Sequence, residues 1–269
     1  MRIDEIIKQQ SEPCFSFEFF PPKTEEGERN LYAALDALRS LEPNFVSVTW
    51  GAGGSTREKT IEIVKRIKQD QGLEAMAHFT CVGATVDDLH DSLKQMRDAG
   101  IDNVLALRGD PPAGQEQFEV TEGGLAYASE LTKLVNGDYE FCIVGACYPE
   151  NHPEATDRAS DIAHLKHKVD AGAKILVTQL FFDNSAFFSF VEEVRAAGID
   201  VPIVPGIMPI TNVDQVKRFT QMCGATLPEP LLAQLEALRD DPQAVTELGV
   251  AYATLQCAEL LAAGVPLAW

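Results

Sequence analysis

Seven short apolar runs recur along the chain: CFSFEFF, NFVSVTW, EAMAHFTCV, NVLALRG, FCIVGACY, KILVTQLFF and PIVPGIM. They start near residues 14, 44, 74, 103, 141, 174 and 202, and most are spaced by about thirty residues. Each is short enough and sufficiently β-branched or aromatic to form a strand. Between them lie helical patterns with start and stop signals. Thr85, for example, precedes VDDLHDSLKQMRDAG, and Gly100 closes that segment. Strand and helix alternating at this period predict a parallel α/β sheet.

The strand ends choose between an open sheet and a barrel. Glu18, Thr49, His78, Arg108 with Asp110, Tyr148 with His152, and Gln179 all fall at or just beyond the carboxyl ends of their runs. In a (β/α)₈ TIM barrel these ends share one mouth, whereas a doubly wound sheet concentrates its chemistry at one switch point. The reading is therefore an α/β (β/α)₈ barrel, one domain over residues 1–269. Helical stretches follow at about 211–222, 228–238 and 242–263, and the chain then reads GVPLAW. The eighth strand is thus expected to be shortened, within Val265 to Trp269, or missing.

Within FSFEFF, alternation puts Phe15, Phe17 and Phe19 on one face and Ser16, Glu18 and Phe20 on the other. Glu18 is expected in apolar surroundings, which disfavour its charged form and suit a proton donor. A structural glutamate paired with Lys or Arg is the alternative. In RGDPP, Arg108 and Asp110 either pair with each other or serve the mouth. Two acids on different strands, Glu18 protonated and Asp110 ionised, can take different roles. TWGAGGST, residues 49–56, is a glycine loop able to turn amides toward a phosphate or flat ring, or simply a tight turn. On the helix after YPENHPEA, the residues Asp157, Asp161, His164 and Lys168 form one polar stripe. That stripe is either a solvated face or the edge of a polar ligand site entered through Tyr148 and His152.

Composition narrows the partners. The chain of 269 residues carries 41 acidic and 22 basic side chains, a net charge of -19, which opposes general attraction to nucleic acid or anionic lipid. The start has no secretory apolar core and no run reaches about 18 apolar residues, so a soluble cytoplasmic protein is expected, with no membrane partner. Six scattered cysteines without a C-x-x-C pair read as reduced core thiols, Cys81 among them. The five histidines contain no H-x-H or H-E-x-x-H, so no metal is expected. Lys174 opens its strand at the face opposite the mouth, which argues against a Schiff-base lysine.

Taken in order, FSFEFFPPKT, FVSVTWGAGGSTR, HFTCVG, ALRGDPP, YPENHPEA, KVDAGAKILVTQLFFD and PIVPGIMPI closely resemble the 5,10-methylenetetrahydrofolate reductase family. The resemblance spans essentially the whole chain and looks like the catalytic barrel alone, without the regulatory domain of eukaryotic members. It implies an FAD flavoprotein that reduces 5,10-methylenetetrahydrofolate to 5-methyltetrahydrofolate with NADH or NADPH by a ping-pong reaction, and that self-associates. It implies that Glu18 protonates the leaving nitrogen and that Asp110 acts beside flavin and pterin. Flavin-contacting positions would be Thr49, Trp50, Ala52, His78, Arg108, Gly109, Asp110, Ala128, Tyr148, His152, Ala155, Asp161, His164, His167 and Lys168. Gln179, Gln215 and Phe219 would meet folate or nicotinamide. His164 and His167 depart from side chains common in bacterial relatives. The family's last strand, His-Phe-Tyr-Thr-Leu-Asn followed by Arg, has no equivalent in VPLAW. Two other functions stay open: a noncatalytic flavin- or folate-binding protein, and a related flavin-dependent barrel oxidoreductase with another substrate.

Overall fold

The computed structural model describes residues 1–51, 56–110, 118–265 and 267–268. Among the described residues eight strands alternate with helices, the first seven where the apolar runs lie. They are β1 (Cys14–Phe19), β2 (Phe45–Val48), β3 (Ala75–Thr80), β4 (Asn103–Leu107), β5 (Cys142–Cys147), β6 (Ile175–Thr178), β7 (Ile203–Val204) and β8 (Leu267–Ala268). The fold is α/β, of TIM-barrel type, with the eighth strand reduced to two residues. The chain forms two compact units, one of residues 1–145 with 167–175, the other of 146–166 with 176–269.

In the first unit, β1 to β5 pair in parallel and in sequence. Glu18 lies opposite Ser47, Ala77 opposite Val104, and Ala106 opposite Gly145. Every residue of β2 and β3 is buried, as expected where helices cover one face of a parallel sheet and packed side chains fill the other. The outward residues Val48, Ala77, Phe79, Val104 and Ala106 join one core with side chains of α2 (Glu25–Leu38), α3 (Arg57–Arg66), α4 (Val86–Asp98) and α5 (Ala128–Asp138). The start and stop of α4 follow the sequence signals. Thr85 and Asp88 form a reciprocal capping box, and Gly100 takes φ +75° beyond the last turn.

A polar cluster closes the amino-terminal ends of these strands. Buried Asn103 accepts the Ile3 amide of the short helix α1 (Ile3–Gln9) at 2.8 Å and donates to Glu74 Oε1 at 2.9 Å. A π-turn at Ile67–Gln71 prolongs α3 and delivers Lys68 Nζ to Glu74 at 2.8 Å and to Asp102 at 2.6 Å. Partial burial disfavours both charged forms. The hydrogen bonds outweigh it, holding the Lys68 ammonium above and the Asp102 carboxyl below their usual ranges. Stability from Asp102 is therefore complete above its unfolded pKa of about 3.9 and is lost as pH falls through the depressed folded value. Stability from Lys68 is complete below about 10.4 and fades as pH rises through its raised value. Lys68→Met should cost about 1–2 kcal/mol at neutral pH, because it leaves Glu74 and Asp102 with the exposed Met1 amino group, at 2.6 and 2.9 Å, as their remaining cation. In urea melts the gap between variant and parent should narrow below about pH 4.

In the second unit, β6 and β7 pair in parallel, Leu176 opposite Ile203 and Val177 opposite Val204, and β8 lies beside β7. The core joins Phe182, Ile210, Val213, Val216, Leu231, Leu235 and Val245. These come from α8 (Val213–Cys223), α9 (Glu229–Ala237), the start of α10 (Pro242–Ala262) and the segments after β6 and β7. The cap Asp241 accepts from the Gln243 and Ala244 amides, and Pro242 opens α10. Further along α10, Tyr252 donates to the Phe182 carbonyl and Gln256 to that of Phe181 at 2.9 Å. None of the described helices is long and apolar enough to cross a membrane.

Candidate functional site

In the first unit, Ser16 and Glu18 of β1 and His78 and Thr80 of β3 share the sheet's inner face. Glu18 Oε2 lies 3.3 Å from His78 Nε2. The expected burial of Glu18 is not found, since its side chain is 32 % exposed against 7 % for His78. Alternation fixes which face a residue takes and says nothing of depth along the strand. Ser16 is buried within the sheet, whereas Glu18 stands at the open end, two residues further on. The lysine or arginine partner of the alternative reading is also not found among the described residues. A buried histidine takes that place.

The strand next in line, β4, adds a cation, a turn and an acid. Arg108 lies beyond β4, with its guanidinium carbon 4.8 Å from the Phe118 ring centre. The Arg108 carbonyl accepts the Val82 amide at 2.9 Å, which ties the turn to the end of β3. Gly109 takes φ +90°, and a Cβ there would sit 2.6 Å from Val82 Cγ1 and 2.9 Å from Thr80 Cβ. Only glycine fits. Asp110 follows, exposed at the rim. Gly109→Ala should lower stability by about 2–4 kcal/mol through the strained φ and the clash together, measured as a shift in the urea midpoint.

Thr49 is half-buried at the end of β2, its carbonyl accepting from Thr60 Oγ1 at 2.9 Å. Trp50 is buried edge-on against Phe79, with ring centres 5.4 Å apart. Ala52 and the glycines after it lie outside the described residues, as do Pro111 and Pro112. Ala128 opens α5, where the Glu130 carboxylate receives the Ala126 and Tyr127 amides. His167 and Lys168 occupy the last turn of α6 (Arg158–Asp170), where positive charge also suits the helix dipole.

Sequence reasoning gave no role to two groups, Ser16 and Thr80, and named a third, Trp50, only through the resemblance. The Ser16 hydroxyl, the Thr80 hydroxyl and the Trp50 indole N–H are buried without a hydrogen-bond partner among the described residues. Native proteins rarely leave such groups unsatisfied without a functional reason or a ligand. On the inner face the Ser16 and Thr80 hydroxyls match in chemistry a flat heterocycle edged with N–H donors and carbonyl acceptors, such as an isoalloxazine, whereas the Trp50 ring packs with Phe79 in the outer core. Thr80 was findable, because it alternates with His78 on one strand. Cys81 between its neighbours faces the outer core, and burial pushes its thiol up to about 11, as expected of an inert thiol. Burial likewise raises the Cys142 thiol to about 12, and all six cysteines are free.

The second unit presents another group. Beyond β5 the rings of Tyr148 and His152 meet edge-to-face at 4.6 Å. His152 Nδ1 accepts the Glu154 amide at 3.1 Å, which fixes the ring's orientation. The His152 amide bonds Asp161 Oδ2 at 3.1 Å, and Ala155 returns its amide to the His152 carbonyl. Asp161 thereby holds the loop. Asp157 leaves the predicted stripe, because α6 begins one residue later and the Asp157 carboxylate caps it, accepting the Ser160 amide at 2.7 Å. That amide bond also holds the Asp157 carboxyl below its usual range. His164 is exposed on the same helix.

Gln179 follows β6, where its amide bonds the Cys147 carbonyl and its side-chain oxygen takes the Leu180 amide at 2.9 Å. The Gln179 side-chain NH₂ remains as a donor. Gln215 and Phe219 lie one turn apart on one face of α8, Gln215 exposed and Phe219 half-buried. Asn212 caps that helix through the Gln215 amide.

Comparison with known proteins matches a family model described as methylenetetrahydrofolate reductase to residues 2–268. Among similar proteins, methylenetetrahydrofolate reductase (NADH) 1 of Arabidopsis thaliana is 44% identical over 277 residues, covering 98% of this chain and 47% of the relative. The 5,10-methylenetetrahydrofolate reductase of Escherichia coli is 42% identical over 238 residues, covering 88% of this chain and 78% of the relative. The chain thus spans about half the length of the plant relatives it matches. A solved Clostridium thermocellum protein, described as binding two copies of 5-methyl-5,6,7,8-tetrahydrofolic acid, shares the fold at TM-score 0.65 and 16% identity, with 100% of this chain and 91% of that one covered. With the family model matching nearly end to end, and the barrel strands carrying the expected polar groups at their carboxyl ends, this chain belongs to the methylenetetrahydrofolate reductase family.

Proposed function

We propose that the chain is a single catalytic domain that reduces 5,10-methylenetetrahydrofolate to 5-methyltetrahydrofolate, using FAD as cofactor and NADH or NADPH as reductant, as a cytoplasmic enzyme that self-associates. The observation that carries this reading is an acid on β1 set beside a buried histidine on β3, Glu18 Oε2 at 3.3 Å from His78 Nε2, in a chain of this family. FAD, when bound, would supply the two-electron chemistry that links oxidation of the nicotinamide to reduction of the folate's methylene carbon. The protein's task is to bind, orient and move protons.

In the first unit the groups assigned to the cofactor are Thr49, Trp50, Ala52, His78, Arg108, Gly109, Asp110, Ala128, His167 and Lys168. The orphaned hydroxyls of Ser16 and Thr80 extend that set. In the second unit Tyr148, His152, Ala155, Asp161 and His164 are assigned to it. Gln179, Gln215 and Phe219 are assigned to folate and nicotinamide. In a chain of net charge -19, the cations Arg108 and Lys168 give an anionic cofactor local attraction against a repelling background.

Glu18 gives its carboxyl proton to the imidazolidine nitrogen as the carbon–nitrogen bond opens, with His78 fixing the carboxyl's direction. The cationic iminium left behind is favoured by the Asp110 carboxylate. Because Glu18 stands at the open end, a substrate ring laid over it excludes water from the acid. The decisive experiment is anaerobic: protein reconstituted with FAD and reduced by NADH is mixed with methylenetetrahydrofolate, and reoxidation of the flavin is followed by absorbance. Oxidation with formation of methyltetrahydrofolate is the expected result. A protein that takes up no FAD, or whose reduced flavin is untouched by the folate, contradicts the assignment.

A further inference from the structure

Arg158, the first residue of α6, makes contacts unlike those of a solvated helix residue. Its Nη1 donates to the carbonyls of Tyr148 at 3.3 Å and Glu150 at 2.8 Å, and to Asn151 Oδ1 at 3.4 Å. Nη2 donates to the Pro149 carbonyl at 3.0 Å. Nε pairs with Glu193 Oε2 of α7 (Asn184–Ala196) at 2.5 Å, and the guanidinium lies 5.1 Å from the ring centre of Phe190 on the same helix. Three consecutive backbone carbonyls therefore converge on one cation. Their dipoles repel one another in that arrangement, so the curl of Tyr148-Pro149-Glu150 persists through the planar fork that receives it.

The curl has a second attachment. It turns the Glu150 carboxylate onto the segment after α8, where Oε1 accepts the Thr226 amide at 2.8 Å and Oε2 the Thr226 hydroxyl at 2.5 Å. Gly224, which ends α8 at φ +75°, lies so close to this loop that a Cβ there would stand 3.2 Å from Pro153 Cγ. The loop holding the Tyr148–His152 ring pair and the helix holding Gln215 and Phe219 are thus fastened together within one compact unit by Arg158 and Glu150.

We infer that Arg158 is a positioning residue, which sets the Tyr148–His152 loop for the cofactor and, through Glu150 and Thr226, ties that loop to the end of α8. The inference rests on the flavin reading of Tyr148 and His152 given above. It assigns no chemistry to Arg158 itself. A lysine cannot replace it, because one ammonium has neither the fork that spans three carbonyls nor the fixed plane that also meets Glu193.

The test compares parent, Arg158→Ala, Arg158→Lys and Glu150→Gln by hydrogen exchange of the apoprotein, FAD titration of the apoprotein and steady-state kinetics. Faster exchange is expected in both Arg158 variants across peptides spanning 148–156 and 224–228, with peptides outside these and the Phe190–Glu193 stretch of α7 unchanged. The FAD dissociation constant should rise on the order of tenfold in both, as misplaced contact groups commonly produce, with lysine giving no rescue. Glu150→Gln should quicken exchange at 224–228 and raise the folate KM more than it lowers kcat. Unchanged exchange in the 148–156 peptides of Arg158→Ala overturns the inference, as does unchanged FAD affinity or full rescue by lysine. If the parent binds no FAD, the flavin reading fails, while the exchange comparison still decides whether Arg158 holds the loop.

Discussion

Glu18→Gln is expected to lose folate reduction by roughly 10²–10⁴-fold, the usual contribution of a positioned general acid, while reduction of the bound cofactor by nicotinamide proceeds within a few-fold of the parent rate. The substitution is nearly isosteric and leaves a side chain that can still meet His78 across the 3.3 Å gap. What it removes is the transferable proton. Opening of the imidazolidine ring leaves electrons on a nitrogen that must be protonated, whereas transfer of hydride from nicotinamide requires no acid. The two half-reactions therefore divide at this residue, and rapid mixing of each in isolation reads them separately. Equal losses in both would mean that Glu18 serves binding or architecture instead of proton transfer. Unfolding by urea should be little changed, since the carboxyl is open to water and glutamine can keep the contact with His78.

Much of the scaffold was legible because parallel strands buried on both faces leave continuous apolar runs. The run beginning near 103 became Asn103–Leu107, and the one near 174 became Ile175–Thr178. Thr85 and Gly100 bounded α4 for local reasons that need no tertiary context. Depth and phase were less accessible. Glu18 was assigned to its inner-facing position correctly and to its burial wrongly, because alternation carries no information on where a strand leaves the sheet. Asp157 appeared to continue a helical stripe, yet a one-residue difference in the helix start turned it into a cap. Arg158 drew no attention beside it, since a single arginine in an amphipathic pattern reads as solvated and its three carbonyl partners exist only in the folded loop. The π-turn that aims Lys68 has no sequence signature of the kind that caps provide. Within VPLAW the described strand is Leu267–Ala268, in the stretch where a shortened strand was expected.

Gly249→Ala should be among the most destabilising single substitutions in the chain, and its sign is opposite to what helix propensity alone gives. Gly249 lies inside α10, where alanine is normally favoured by about 1 kcal/mol. A Cβ at this position would stand 1.8 Å from the Ile210 carbonyl oxygen and 2.6 Å from its carbon. The obstacle is backbone, not the free end of a side chain, so no rotamer change relieves it. Either α10 moves away or the segment carrying Ile210 does. Ile210 belongs to the buried core with Val213, Val216 and Val245, and α10 is fixed further along by Tyr252 and Gln256 to the carbonyls of Phe182 and Phe181. Displacement on either side opens packed surface, and a loss of about 3–5 kcal/mol is expected, well above the propensity gain. Gly137→Ala supplies the internal comparison, because Gly137 is also helical, in α5, and a Cβ there meets nothing within 4 Å. That variant should be more stable than the parent by about 0.5–1 kcal/mol. Urea melts of the two proteins should therefore move in opposite directions, and a Gly249→Ala protein as stable as Gly137→Ala would show that α10 does not pack against Ile210 as closely as the structure has it.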